Sequence, residues 1–153
     1  MPVIYVTKPE KYDITVENGI ISECGELIRA AVTGDNCLIV TDSNVEPLYL
    51  DTLKCAVEAV GITVSTFTFP AGEGSKTFKT VESIIGAMCE AGLTRTDFAV
   101  ALGGGVCGDL TGFAAAVYQR GIEYIGVPTT LLSQIDSSVG GKTGCDLSYG
   151  KNL

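Results

Sequence analysis

The chain has 153 residues, 46% of them hydrophobic, and a formal charge of -8 from 18 acidic and 10 basic side chains. A chain of this length suits one domain, which buries roughly 70% of the surface exposed when unfolded and so can build a core. The negative balance excludes general adhesion to phosphate backbones or anionic membrane surfaces, so any anionic ligand must be met by local groups.

The opening MPVIYVTKPEKYDITVENG lacks the basic-then-apolar pattern of a secretory leader. No apolar run approaches the roughly 20 residues that span a bilayer, so a cytoplasmic location is expected. Short β-branched runs then alternate with longer segments of helical period, the pattern of a parallel sheet covered by helices. YDITVENG is the first expected strand, followed by ECGELIRAAVTG as a helix closed by Gly34. NCLIVTD and TVSTFTFP are the next strands, with VEPLYLDTLKCAVEAVG between them as a helix closed by Gly61. TFKTVESIIGAMCEAGL is a third helix, closed by Gly92; each of these glycines suits the left-handed C-cap position. In that helix Val81, Ile84, Ile85, Met88 and Cys89 recur at spacings of three and four, a stripe expected to face the core. FAVALGGG follows, so poor in polar side chains that a central strand covered on both faces is expected. EYIGVPT is the last strand, and the residues beyond Val127 read as a short helix and a glycine-rich loop. The expected fold is α/β and Rossmann-like, a mostly parallel sheet with helices on both faces, in a single domain over residues 1–153.

Six cysteines (Cys24, Cys37, Cys55, Cys89, Cys107, Cys145) are scattered without a C-x-x-C pair, and there is no histidine to complete a zinc site. Most are expected to be buried and reduced. Without histidine the commonest general base at neutral pH is missing. Chemistry would have to rest on Lys, Asp, Glu, Tyr or a cofactor.

Ligands of open parallel sheets bind beyond the C-terminal ends of the strands, and four polar clusters fall there: TDSN, PAGEGSK, GGGVCGD and PTT. In GGGVCGD, Gly103 to Asp109, bare glycines let backbone N–H groups approach a pyrophosphate at the start of the helical LTGFAAAVYQR. Gly103, Gly105 and Gly108 match G-x-G-x-x-G only loosely, and an ordinary glycine-rich turn fits as well. Asp42 and Asn44 could accept hydrogen bonds from ribose hydroxyls, or Asp42 or Ser43 could cap the following helix. Glu73 and Lys76 are either ligand contacts or solvated charges on a turn. Thr129 and Thr130 offer hydroxyls to a ligand or to a helix cap. DSSVGGKTG, Asp136 to Gly144, and GKNL gather Asp136, Ser137, Lys142, Lys151 and Asn152 on loops that glycine keeps slim. Lysine is a point charge suited to phosphate or carboxylate, and the group suggests a pocket for a small polyhydroxylated anion.

GGGVCGDLTGFAAAVYQRGIEYIGVPTTLLSQIDSSVGGKTG followed by GKNL, with PAGEGSK and TDSNV upstream, resembles the 3-dehydroquinate synthases over nearly the whole chain. These are NAD-dependent enzymes of the shikimate pathway. The resemblance implies an NAD site made of Asp42, Asn44, Glu73, Lys76, Gly104, Gly105, Val106, Asp109, Thr129, Thr130, Leu132 and Ser137. It places Lys142, Lys151, Asn152 and Asp136 at the substrate, with Lys142 and Asp136 catalytic, and has Arg120 reach the substrate phosphate from a neighbouring subunit of a homodimer. The reaction it implies converts 3-deoxy-D-arabino-heptulosonate 7-phosphate to 3-dehydroquinate and phosphate, using NAD reversibly and zinc or cobalt as a Lewis acid.

The family's metal is held by one glutamate and two histidines of a C-terminal helical domain, and this sequence has no histidine and stops at Leu153. The chain is therefore expected to be the N-terminal half, binding NAD without turnover by itself. Another NAD-dependent sugar phosphate cyclase, an iron-type alcohol dehydrogenase, and a non-catalytic nucleotide module that docks to a separate C-terminal chain are the alternatives. No nucleic-acid or membrane partner is expected.

Overall fold

The computed structural model describes residues 3–6 and 12–152. Leu153, the last letter of GKNL, and most of the opening MPVIYVTKPEK lie outside the described residues. In chain order the elements are β1 (Val3–Val6), β2 (Tyr12–Thr15), α1 (Cys24–Ala31), β3 (Asn36–Asp42) and α2 (Asp51–Glu58). They continue as β4 (Thr63–Phe69), α3 (Phe78–Glu90), β5 (Phe98–Gly103), α4 (Gly105–Val117) and β6 (Glu123–Pro128).

Four strands pair in parallel in the order β4-β3-β5-β6. From β3 the chain crosses to β4 on one side, then returns to β5 on the other, and continues outward to β6. A right-handed crossover must change face when its direction reverses. Accordingly Ile28 of α1 and Leu53 and Val57 of α2 pack on one face, while Val81, Ile84 and Met88 of α3 and Leu110 and Ala114 of α4 pack on the other.

Side chains alternate across each strand. Phe98, Val100 and Leu102 of β5 point into the α1/α2 layer, and Ala99 and Ala101 point toward α3 and α4. Small residues on that side let α4, itself carrying Gly112, Ala114 and Ala115 inward, lie close to the central strand. All six residues of β5 are buried, as its apolar sequence requires of a central strand. A hydroxyl in the middle of this region is satisfied: Thr41 Oγ1 donates to the Leu102 carbonyl at 2.8 Å.

Several sequence expectations need correction. Tyr12–Thr15, the core of YDITVENG, is not in the parallel sheet; it pairs antiparallel with Val3–Val6 in a separate two-stranded ribbon. Its polar content leaves it too little apolar surface for a position covered on both faces. Gly34 does not cap α1, which ends at Ala31 with an extended Val32. Arg29 instead donates to the carbonyls of Val32 and Gly34, both at 2.9 Å. Gly34 is required for another reason: a Cβ there would lie 2.3 Å from the Thr96 carbonyl oxygen. Gly61 and Gly92 do adopt positive φ, 82° and 68°, after their helices. The helix expected from Val45 begins as a wide turn at Glu46–Leu50 before α2. In α3, Val81, Ile84 and Met88 are buried, whereas Ile85 is half-buried and Cys89 is exposed. Four cysteines are buried, and Cys55 and Cys89 reach solvent.

The turn before β5 is held by Asp97, which is 2% exposed. Its carboxylate accepts from the Asn36 backbone and side chain at 3.0 and 3.1 Å and from the Thr94 backbone and hydroxyl at 2.7 and 2.8 Å. Burial pushes this carboxyl up, but the donors of Thr94 and Asn36 outweigh it and hold it below its ordinary value. A depressed folded value stabilises the fold above the unfolded pKa of about 3.9, and that contribution is lost as pH falls through the folded value. Asp97→Ala is expected to cost roughly 2–4 kcal/mol in urea unfolding at pH 7, and the gap between variant and parent should narrow below about pH 3.

Candidate functional site

Reversal of chain direction between β3 and β5 leaves a crevice beyond their C-terminal ends, where the loops after the two strands part. A shallow cleft of about 270 Å³ opens there, lined by Asp42, Asn44, Gly104, Gly105, Val106 and Thr130, among others. Six of the twelve residues proposed for a nucleotide are thus brought together.

The floor is the start of α4. Its N-cap is Gly104, which offers no side chain, so no side-chain acceptor meets the first N–H groups of the helix. By contrast Thr77 caps α3 by accepting from the Thr80 amide. Free amides and the helix dipole make such a terminus attractive to an anion, by about 0.3–1 kcal/mol for a surface charge.

The glycines of GGGVCGD divide into two roles. A Cβ at Gly103 would lie 2.6 Å from the Cys107 Cβ, so this glycine serves packing. Cys107 thereby reaches the Val40 carbonyl at 3.2 Å, and burial pushes its thiol up to about 12. It is inert packing. At Gly104 and Gly105 an added Cβ would stand 3.3 Å from Thr130 Cγ2 and 3.1 Å from Ser137 Oγ, narrowing the cleft itself.

Asp42 resolves its two readings in part. Oδ1 accepts from the amides of Asn44 and Val45 at 2.9 and 3.2 Å, capping the turn that follows; no such bond is made by Oδ2. The two threonines separate cleanly. Thr130 and Ser133 cap each other, each accepting at its hydroxyl from the other's amide at 3.2 Å. Thr129 donates its amide to the Gly103 carbonyl at 2.9 Å, but its own Oγ1 is buried and has no partner. Among the described residues it is the buried side-chain polar atom left unpaired. A buried hydroxyl without a hydrogen bond costs about 1–3 kcal/mol, an expense that a ligand atom would remove.

Other proposed residues lie elsewhere. Lys76 is buried at 6% exposure and turns inward, its Nζ 2.5 Å from Asp109 Oδ2 and donating also to Asn152 Oδ1. Breaking such a pair from one side typically costs roughly 3–5 kcal/mol. Glu73 faces Lys151 at 3.8 Å. Leu132 is 68% exposed, while Ser137 lines a second hollow. That hollow, about 220 Å³, lies between α4, β6 and the DSSVGGKTG loop and includes Ser138, Gly141 and Lys142. Lys142 donates to Asp136 at 2.8 Å, and this hydrogen bond, then the charge of Asp136, raises the lysine's pKa. Arg120 is remote, just before β6 and so at the opposite end of a strand about 20 Å long. Gln119 and Arg120 have positive φ of 52° and 69°, a conformation that costs non-glycine residues about 1–3 kcal/mol each and tends to mark functional positions.

Sequence reasoning missed three supports. Gly112 admits Thr143, whose Cγ2 would be 2.4 Å from a Cβ there. The Gly140 amide donates to the Tyr12 hydroxyl at 2.9 Å, tying the glycine loop to β2. Asp146 accepts from the Asn152 amide at 2.9 Å and organises GKNL. None has a local motif; the first two join segments distant in the sequence, and the third closes one loop on itself.

The 3-dehydroquinate synthase N-terminal family model matches residues 66–153. The chain is 45% identical over 146 residues to a 3-dehydroquinate synthase of Clostridium kluyveri, covering 95% of this chain and 41% of that protein. To a 3-dehydroquinate synthase of Symbiobacterium thermophilum it is 50% identical over 145 residues, covering 94% of this chain and 40% of that one. Among solved structures, a 2-deoxy-scyllo-inosose synthase complexed with carbaglucose-6-phosphate, NAD+ and Co2+ superposes with a TM-score of 0.88 at 26% identity, over 99% of this chain and 41% of that one. The chain thus spans about two-fifths of the length of the curated relatives it matches.

Because the Thr129 hydroxyl has no partner, Thr129→Val is expected to leave the ligand-free chain equally stable or more stable by about 1 kcal/mol in urea unfolding. A loss of stability would mean that the hydroxyl is structural.

Proposed function

Since the chain belongs to the 3-dehydroquinate synthase N-terminal family, we propose that it is the nucleotide-binding half of a 3-dehydroquinate synthase. The whole enzyme converts 3-deoxy-D-arabino-heptulosonate 7-phosphate to 3-dehydroquinate and phosphate, in the cytoplasm and without nucleic-acid or membrane partners.

The observation that carries the reading is the uncapped, glycine-floored start of α4 at the switch point of the sheet, with Thr129, whose buried hydroxyl is unpaired, bonded through its amide to the adjoining Gly103. These residues fit NAD. Backbone amides from Gly105 onward suit its pyrophosphate, Asp42 Oδ2 and Asn44 suit ribose hydroxyls, and Thr129 supplies a buried donor. When bound, NAD supplies a hydride acceptor for a ring hydroxyl of the substrate. The chain's own part is to bind and orient.

On the substrate side, Lys142 with Asp136 and Lys151 with Asn152 form the polar surface that would meet the sugar acid and its phosphate. Lys142 is exposed and paired with Asp136, so a substrate phosphate or carboxylate would exchange for that carboxylate at the ammonium. The remote and strained Arg120 supports a homodimer in which this arginine serves the neighbouring subunit's site. A catalytic metal does not fit the residues present: the sequence has no histidine, and among the described residues no three His, Cys, Asp or Glu side chains converge. In this reading the Lewis acid of the whole enzyme is held by residues outside these 153.

Calorimetric titration of NAD into the chain tests the proposal. Saturable one-site binding is expected, weakened by about tenfold or more in Gly105→Val, whose branched Cβ narrows the cradle. No phosphate release from the heptulosonate phosphate is expected in the same solution. Absence of NAD binding by a folded chain, or full affinity in Gly105→Val, would contradict it.

A further inference from the structure

Lys76 has a position that a simple ligand contact does not explain. It is a buried lysine, its ammonium is not among the groups around the cleft, and its charge is already neutralised. Asp109 faces it at 2.5 Å with a side chain 16% exposed, and Asn152 accepts from the same Nζ.

Its main chain is engaged as well. The Asp146 amide donates to the Lys76 carbonyl at 2.8 Å, and Thr77 forms a parallel bridge with Asp146. Asp146 in turn accepts from the Asn152 amide, and the Gly144 amide reaches the Asp109 carbonyl at 3.4 Å. Between these anchors Leu147 and Gly150 close a tight turn on each other at 2.9 and 3.1 Å, and Cys145 is buried in the layer under α3 and α4. Lys76 therefore grips both ends of segment 144–152, by backbone at Asp146 and by side chain at Asn152. Asp109 lies on α4, one turn beyond the glycines that floor the cleft.

We propose that Lys76 is a positioning residue, a clamp that fixes the 144–152 loop against α4 and so sets the substrate-side groups in register with the nucleotide cleft. Only the label "substrate-side" rests on the function proposed above; the clamp itself rests on the bonds just given. Loss of the clamp acts on loop order, with Asn152 and the neighbouring Lys151 released together. In a whole enzyme this loss raises KM for the sugar phosphate.

Amide hydrogen exchange on the ligand-free 153-residue chain tests the clamp without recourse to NAD or turnover. In Lys76→Met the Asp146 and Asn152 amides are expected to exchange about tenfold faster or more, while the amides of β3 and β5 keep their parent rates to within about twofold. Lys76→Arg, which retains a cation for Asp109, should recover most of the protection. Should burial of an unpaired Asp109 loosen the whole fold, Lys76→Met/Asp109→Leu removes that charge and should restore β5 while the loop stays fast. Parent rates in the loop of Lys76→Met, or loop and β5 amides rising by the same factor in the single and the double variant, would overturn the proposal. Failure of the chain to bind NAD would leave these rates, and the clamp, untouched.

Discussion

Everything about this site follows from the place where two adjacent parallel strands, β3 and β5, release the chain in opposite directions. A right-handed crossover on each side puts α2 on one face of the sheet and α3 and α4 on the other. The loops after Asp42 and Gly103 must then diverge, leaving a gap bordered by Asp42 at the end of β3 and by the first turn of α4. Glycine at 104 and 105 leaves the amides of that turn without a side chain over them, and in the proposed reading they would meet an anion on a chain of net charge -8 that offers no basic patch there.

That geometry assigns different work to residues that look alike. Gly103 is needed for Cys107 and Gly112 for Thr143, so these two glycines near the site serve close packing and not a ligand. Thr130 caps a turn, and its neighbour Thr129 is left without a partner. Of the lysines near the site, Lys142 and Lys151 are solvent-exposed with carboxylates at 2.8 and 3.8 Å, whereas Lys76 is an interior tie between three segments. Interior and surface lysines differ in consequence: an exposed pair contributes at most about 1 kcal/mol, while one partner of a buried pair cannot be removed cheaply.

Much of this was legible in the sequence because the signals are local. FAVAL has no polar residue and is central; Gly61 and Gly92 end helices; the polar clusters fall after strands and so at one edge. What escaped depends on contacts between distant segments. Gly34 reads as a helix stop, yet it is fixed by the Thr96 carbonyl 62 positions on. YDIT has strand composition and a strand conformation, but no local feature says that its partner is Val3–Val6 and not the parallel sheet. Lys76 reads as a loop charge because its burial is created by Asp109 and Asn152, which the chain supplies 33 and 76 residues later. The resemblance to a family names the candidate residues as a set, and the fold shows which of them border the switch-point cleft.

The central claim is that the switch-point cleft is where NAD sits. Chemical-shift mapping of the isotope-labelled chain during addition of NAD tests it most directly. The account predicts that the amides of Gly105 and Val106 and of Asn44 move first and furthest, with Thr129 beside them. Shifts concentrated at Ser138, Gly141 and Lys142 in the second hollow, with α4's first turn silent, would contradict it.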